Sequence, residues 1–346
     1  MEKIKTAIIG MGMMGFSQLR HCFLPSKDYE VTAVCETYAP NIQRVEHFIQ
    51  EHHLNIQVYT DYRQLLKEAD FSLAAIVTPD FTHEQIAVDC LNAGKHLRLE
   101  KPMAISNEGC LNIYKAWEKH QQIVQIGYEL RYSPVISQMR RLLPMIGTPK
   151  LLWCHEFRHP FLKKDGDVPD WITKKACSGG TLLEKNCHHF DLFNMFSGAK
   201  PISVYASGDN QVIYKDTDVL DNAFVTVDYS NGCRAMLSLC MFAPELKHQK
   251  HMHAFEFGII GDKGRMEIRD DTLYLWTRSA DNEISYSYLR ENYEAHSEDI
   301  IPSLNELADC IRSHRQPLAD IHTGLISSRL ALAAEASAET GEVMKL

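Results

Sequence analysis

Nowhere in this 346-residue chain do two cysteines form a Cys-x-x-Cys pair; the ten are scattered from Cys22 to Cys310. Such scatter argues against a zinc knuckle or a redox dithiol and predicts reduced thiols in a cytoplasmic protein. An excess of positive charge is missing too. Asp and Glu outnumber Lys and Arg by 45 to 36, the formal net charge is -9, and the basic residues form no stripe. That balance speaks against nucleic acid or an anionic membrane as a partner. No run of residues nears the roughly 20 apolar positions of a membrane helix. The opening, MEKIKTAIIGMGMMGF, sets lysines before an apolar run, but glycines interrupt it and no small-residue cleavage site follows, so it reads as a strand and a turn. Repeats and low-complexity tracts are absent, and 45% of the residues are hydrophobic, an ordinary globular composition.

The length predicts two domains at about 150 residues each. In the first third, short β-rich runs (KTAIIG, EVTAVCE, FSLAAIV) alternate with amphipathic stretches from Met13, from Asn41 to His53 and from Phe81 to Ala93; KHLRLE and QIVQIGY continue the series. This alternation indicates βαβ units, and the continuously apolar strands indicate a parallel sheet covered on both faces. After about Ser133 the texture changes to strand-like segments separated by turn signals, among them the Asn-Gly of YSNGCR and the glycines of GDKGR. Two helical stretches close the chain, Ile301 to His314 and Ile321 to Ala338. The expected fold is α/β: a doubly wound parallel sheet over residues 1–126, then an α+β domain over residues 127–346 with an open, mostly antiparallel sheet.

AIIGMGMMG places Gly10, Gly12 and Gly15 in Gly-x-Gly-x-x-Gly spacing, with Met13 and Met14 between the last two, directly after the first strand and at the start of a helix. In that setting the glycines allow a tight turn, close backbone approach to a pyrophosphate, and close packing of helix on sheet. The helix N-terminus adds unpaired N–H groups and partial positive charge. Glu36 ends the second strand, where a carboxylate accepts from both adenosine ribose hydroxyls and repels a 2′-phosphate. NAD is therefore expected over NADP, with the nearby Arg44 as the one feature pulling the other way.

From Glu100-Lys101-Pro102 onward the sequence resembles one family. The Glu-Lys-Pro tripeptide after the fifth strand, the preceding TPDFTH, and the segment GGTLLEKNCHHFD with its closing His-x-x-Asp are similar to the Gfo/Idh/MocA oxidoreductases, as is the ending LADCIRSHRQPLADIHTGLISSRLALAAEASAETGE. The resemblance spans nearly the whole chain. It implies a Rossmann domain followed by an α/β domain whose open sheet carries substrate on one face and makes homo-oligomer contacts, as a dimer or tetramer, on the other. It also implies NAD(P)-dependent oxidation or reduction of a hydroxyl carbon of a sugar, inositol or related polyol. Lys101 matches the family lysine that contacts substrate and nicotinamide ribose, Glu184 its carboxylate and His188 its catalytic histidine; Thr78, Pro79, His83 and Glu100 fall on the cofactor side. Two positions depart from the pattern: Glu184 replaces the usual Asp, and Asn186 the usual Gly.

Reading residues 181–197 as one helix sorts the two adjacent histidines. At 100° per residue, His188 lies about 40° from Glu184, and Asp191 about 20° from it on the other side. His189 lies about 140° round, at the edge of the cluster formed by Leu182, Leu183, Phe190, Phe193 and Phe196. His188 is thus the candidate for chemistry and His189 the packing histidine. Oxidising an alcohol needs a neutral base at the hydroxyl, which imidazole provides near pH 7. Lys101 would stabilise the alkoxide and Glu184 orient the imidazole or the substrate. Lys185, about 100° round, and Asp191 are further candidates for substrate contact.

Tyr128 and Arg131, with Tyr132, in GYELRYSP read as cleft-lining or as packing between domains; His155 and Arg158 lie on a strand that faces substrate in one reading, and Asp170 and Trp171 on a loop. His251 and His253, two apart, have no third partner at matching spacing, so no metal is expected. Two alternatives stand beside a sugar or polyol dehydrogenase. One is an NAD-dependent glycosidase working by transient oxidation and elimination; the other is a non-catalytic dinucleotide sensor.

Overall fold

The computed structural model describes residues 2–158, 170–244, 253–269, 272–277, 283–287 and 297–346. It divides into two units: Met1–Tyr132 with Asn292–Leu325, and Ser133–Glu291 with Ile326–Leu346.

The first unit lays down β1 (Ile4–Ile9), α1 (Met13–Gln18), β2 (Tyr29–Cys35), α2 (Ala39–Glu51), β3 (Gln57–Tyr59), α3 (Tyr62–Glu68), β4 (Leu73–Ile76), α4 (His83–Asn92), β5 (His96–Leu99), α5 (Asn107–His120) and β6 (Val124–Ile126). All six strands are parallel, in the order β3-β2-β1-β4-β5-β6. Every residue of Leu-Ala-Ala-Ile in β4 is buried, as a strand covered on both faces requires. Strand order reverses between β1 and β4, and the crevice outside their carboxyl ends is where such sheets bind ligands. Caps fix two of the helix starts: the Asp61 carboxylate accepts from Arg63 N before α3, and Ser106 accepts from Gly109 N before α5.

The helix Ser297–Ser313 belongs to this first unit although it lies far along the chain. Its Ile300, Leu304, Leu307 and Cys310 share a core with Ile8, Leu19, Phe23 and Val34. Polar ties reinforce the packing: Tyr29 Oη donates to Leu304 O at 2.5 Å, Gln125 Nε2 to Ser303 O at 2.8 Å, and Arg312 Nη1 to Asp28 Oδ1 at 2.8 Å. This helix starts four residues before the expected Ile301, so that Pro302 sits inside it.

The second unit contains α6 (Pro134–Leu142), β7 (Pro149–Arg158), α7 (Lys175–Ser178), α8 (Thr181–Glu184), α9 (Cys187–Ser197), β8 (Pro201–Asp209), β9 (Asn222–Tyr229), β10 (Arg234–Cys240), β11 (His253–Gly261), β12 (Gly264–Arg269), β13 (Thr272–Thr277), β14 (Glu283–Ser287) and β15 (Met344–Lys345). Nine strands form one sheet in the order β14-β13-β12-β11-β7-β10-β9-β8-β15, antiparallel except for the β7–β10 pair. The Asn231-Gly232 turn joins β9 to β10 as expected, with Gly232 at φ +81°. Period-two alternation splits β7. Leu152, Cys154 and Glu156 are buried on one side, while Leu151 and Phe157 are exposed on the other. α9 covers the buried side, where Phe193 stacks on Phe257 of β11 with ring centroids 5.8 Å apart and Phe196 packs against the same ring, tilted, at 5.5 Å. Among the described residues, no helix is long and apolar enough to cross a membrane.

Candidate active site

In the first unit the glycine loop has the form its spacing demands. Gly10 sits at φ +95°, and a β-carbon there would lie 2.4 Å from Val77 O; one on Gly15 would lie 2.0 Å from Gly10 O. Both positions exclude a side chain because backbone already occupies the space. Gly12 differs: nothing lies within 4 Å of where its β-carbon would be. That open position, at the start of α1 and without a side-chain cap over the first N–H groups, fits a pyrophosphate. Met13 and Met14 begin the helix, Met13 exposed and Met14 packed against the core.

Glu36 ties two loops together. Its Oε2 accepts from Met11 N at 2.8 Å and Asn41 Nδ2 at 3.1 Å, and its Oε1 from Thr37 N at 2.7 Å and Tyr38 N at 2.9 Å. Arg44, the feature that pulled towards NADP, is engaged elsewhere. Its Nη2 donates to Met11 O at 2.6 Å and Gly12 O at 3.3 Å, and its guanidinium lies 4.6 Å from the Phe16 ring centroid.

On the neighbouring strand ends, Thr78 Oγ1 accepts from Thr82 Oγ1 at 2.7 Å, and Pro79 O accepts from the same hydroxyl. His83 is completely buried, with Nδ1 2.8 Å from Pro102 O and Nε2 3.0 Å from Thr78 O. Burial pushes its pKa down against the pull of those two carbonyls. Placed so, His83 braces the Thr78 and Pro102 loops from within. Glu100 is held by Gln18 Nε2 at 2.7 Å and Arg98 Nη2 at 3.4 Å on one oxygen, and by Lys101 N at 3.3 Å on the other. Lys101, half-buried, precedes a cis bond to Pro102. Its charge acts on Glu129, whose carboxyl is pushed up to about 8 by burial and then by the field of Glu100, with Lys101 pulling it back down. Sequence reasoning passed over Glu129, although it stands next to the residues it did single out.

Of those neighbours, Tyr128 is completely buried, Arg131 Nη1 donates to Leu318 O at 2.7 Å, and Tyr132 Oη donates to Glu306 Oε2 at 2.6 Å.

In the second unit, the expected single helix over residues 181–197 is two helices. Asn186 N still bonds back to Leu182 O at 3.2 Å, but His189 N and Phe190 N restart the ladder on Asn186 O at 2.9 and 3.0 Å. Projection at 100° per residue therefore does not carry across Lys185 and Asn186. Glu184 ends α8 and is buried, with Lys185 Nζ 2.7 Å from its Oε2. His188 is partly exposed in the first turn of α9, whereas His189 is buried but polar in its contacts. Its Nδ1 faces Asn186 Nδ2 at 3.1 Å, and its Nε2 faces Glu156 Oε2 at 3.4 Å. His189 is thus more than a packing residue. Arg158 Nε lies 3.0 Å from Glu156 Oε1, on the α9-covered side of β7. His155 is on the other side, hydrogen-bonded to Ser238 Oγ at 2.7 Å, so these two candidates from one strand occupy opposite faces.

Asp191 is buried, and its Oδ1 accepts from Ser327 Oγ at 3.1 Å. Trp171 is half-buried in the turn that precedes α7, and Asp170 is exposed. His251 and the side chain of His253 lie outside the described residues. Among the described residues, no group of three His, Cys, Asp or Glu is gathered as a metal set.

Two further residues escaped sequence reasoning. Glu156 supplies the carboxylate under His189. Tyr214 is buried in the β8–β9 connection, its phenol pushed up to about 12 by burial and then by the field of Glu184, with Arg158 opposing. Asp221 organises that connection by accepting from Val212 N and Ile213 N at 2.8 Å and from Tyr214 N at 3.2 Å. The period of β7 points Glu156 inward; no sequence signal marks Tyr214.

A parallel sheet with an open glycine turn at its strand-order reversal is the architecture of dinucleotide-binding α/β proteins. The family comparison makes the assignment specific. Residues 4–128 match the oxidoreductase family domain with an NAD-binding Rossmann fold, and residues 142–346 match that family's C-terminal alpha/beta domain. The chain belongs to the Gfo/Idh/MocA oxidoreductase family, and its cofactor is NAD. It is 24% identical over 347 aligned positions to the uncharacterized oxidoreductase YrbE of Bacillus subtilis, covering 98% of this chain and 96% of that one. It is 23% identical to the inositol 2-dehydrogenase of Salmonella typhimurium, over 77% and 74% of the two chains. Its fold superposes on the myo-inositol 2-dehydrogenase structure from Lactobacillus plantarum with a TM-score of 0.83, at 20% identity and full coverage of both chains.

Proposed function

We propose that this protein is an NAD-dependent dehydrogenase acting on a secondary hydroxyl of a sugar, inositol or related polyol. The observation that carries this reading is the setting of His188 in the second unit: partly exposed, four residues after a buried carboxylate, Glu184, that is already ion-paired to Lys185. Bound NAD supplies the hydride acceptor. His188 takes the hydroxyl proton, Lys101 stabilises the developing alkoxide, and Glu184 orients imidazole or substrate. The glycine loop and Glu36 hold the dinucleotide, while Arg158, Lys185 and Trp171 are the remaining candidates for substrate contact. The inositol 2-dehydrogenase relative supports a polyol as substrate.

A screen of sugars, inositols and glycosides with NAD, following nicotinamide absorbance and products together, tests the reading. Accumulating NADH supports it. Product without net NADH would replace it with redox-assisted glycoside cleavage, and NAD binding without any turnover would replace it with a sensor. In His188→Ala, turnover should fall by about 10²–10⁴-fold while NADH affinity is retained; unchanged turnover removes His188 from the reaction.

The face of the nine-stranded sheet opposite α9 supports assembly as a homo-oligomer, because Phe224, Leu151, Tyr205, Phe157 and Met236 are exposed there. Light scattering on Phe224→Glu checks this: a mass unchanged from the wild-type oligomer, or a monomeric wild type, refutes it.

A further inference from the structure

Asn186 occupies the N-cap position of α9 with a side chain of the kind that usually caps, yet it makes no cap bond to that helix. Nor does the backbone need asparagine there: φ -96° and ψ 0° are open to most residues. What asparagine contributes is the amide, and that amide is directed at His189 Nδ1, 3.1 Å away. The far side of the ring, Nε2, is 3.4 Å from Glu156 Oε2, and Arg158 Nε balances the other oxygen at 3.0 Å. Asn186, His189 and Glu156 are each at most 4% exposed. A polar chain therefore runs from near the C-terminal end of β7 through an imidazole into the two-residue break between α8 and α9. Glu184 ends the helix on one side of that break, and His188 lies in the first turn on the other.

We propose that Glu156, His189 and Asn186 form a positioning relay that sets the α8–α9 break and thereby the orientation of His188 relative to Glu184. The inference rests on the reading of His188 as the base. With the amide nitrogen donating, Nδ1 accepts and the ring proton sits on Nε2, directed at the carboxylate. The ring is thereby approached at both nitrogens from inside the protein, at 3.1 Å by the amide and at 3.4 Å by the carboxylate. A base displaced by about 1 Å can lose about 10²-fold in rate, so a tether at the hinge beside it acts directly on turnover. His189, Asn186 and Glu156 are positioning residues; none needs to touch substrate.

The test uses the full chain labelled with ¹⁵N-histidine, in wild type, Asn186→Gly and His189→Gln, and reads the ring nitrogens by NMR. Loss of a signal in His189→Gln assigns His189. The wild-type His189 ring should be the Nε2–H tautomer, and Asn186→Gly should abolish that preference. Asn186→Gly should also move the His188 titration midpoint by about half a pH unit or more. Turnover in that variant should fall about tenfold or more, with KM for NAD within about twofold. His189→Gln retains a donor towards Glu156, so its own loss of turnover should be smaller than that of Asn186→Gly. A ring proton on Nδ1 of His189, or a His188 titration that is the same in all three proteins, overturns the relay. If no polyol is oxidised by the wild type, the dehydrogenase reading falls, and the tautomer and titration measurements still decide the relay.

Discussion

Alanine at position 12 would add one methyl group where no protein atom lies within 4 Å, and this makes Gly12→Ala a clean probe of the glycine loop. Gly12 has φ -61° and ψ -165°, which alanine adopts without strain. Two small stability terms oppose each other. Restricting the unfolded chain gains about 0.4–1 kcal/mol, and replacing glycine by alanine at an N-cap loses a comparable amount. Folding stability should therefore change by less than about 0.5 kcal/mol. Cofactor binding should not be spared, because the methyl fills the space through which the backbone approaches the pyrophosphate. NADH affinity should fall by about tenfold or more, equivalent to at least about 1.4 kcal/mol. The partner experiment is Gly15→Ala, where the added carbon would lie 2.0 Å from Gly10 O. That change should destabilise the protein by about 1–3 kcal/mol. Urea titration and NADH fluorescence titration on both variants give the four numbers needed. A Gly12→Ala protein that binds NADH like wild type would refute the reasoning.

Further outcomes follow from two buried groups. Glu335 is 3% exposed, accepts from Leu182 N at 2.6 Å, and has its carboxyl pushed up to about 7, mainly by burial. A carboxyl raised on folding favours the native state below its ordinary value near 4.5, and that contribution is lost as pH rises to about 7. Glu335→Gln keeps an acceptor and cannot titrate, so wild type should lose up to about 3 kcal/mol relative to it between pH 4.5 and 7; a difference independent of pH contradicts this. Tyr29→Phe removes the donor to Leu304 O and should lower stability by about 1–2 kcal/mol in chemical denaturation; no measurable change would mean the tie between β2 and the helix Ser297–Ser313 contributes nothing net.

Residues 4–126 were legible because their strands are buried on both faces and their turns require glycine, so local pattern and tertiary role coincide. Ser297–Ser313 was legible as a helix but not as part of the first unit. Apolar periodicity declares that a stripe is buried and is silent about its partner. The break at Lys185 and Asn186 was invisible for a related reason: no glycine or proline marks it, and it coincides with a side-chain bond from Asn186 to His189 that no local pattern encodes. The motif reading named Glu36, Glu100, Lys101, Glu184 and His188 from short local patterns. It could not see that Arg131 also donates to Leu318 O, or that Asp191 accepts from Ser327 Oγ, because both partners lie more than a hundred residues away in sequence. Within β7, applying the two-residue period would have separated His155 from Arg158 and turned Glu156 inward.

A carboxylate has room for about four donors, and Glu36 already engages four, three of them backbone N–H groups of Met11, Thr37 and Tyr38. If Glu36 receives the adenosine ribose as proposed, the hydroxyls would have to trade places with donors that the loops now provide. Discrimination there would then be a swap of nearly equal bonds, in which a ribose gains little affinity while a 2′-phosphate is repelled by the carboxylate.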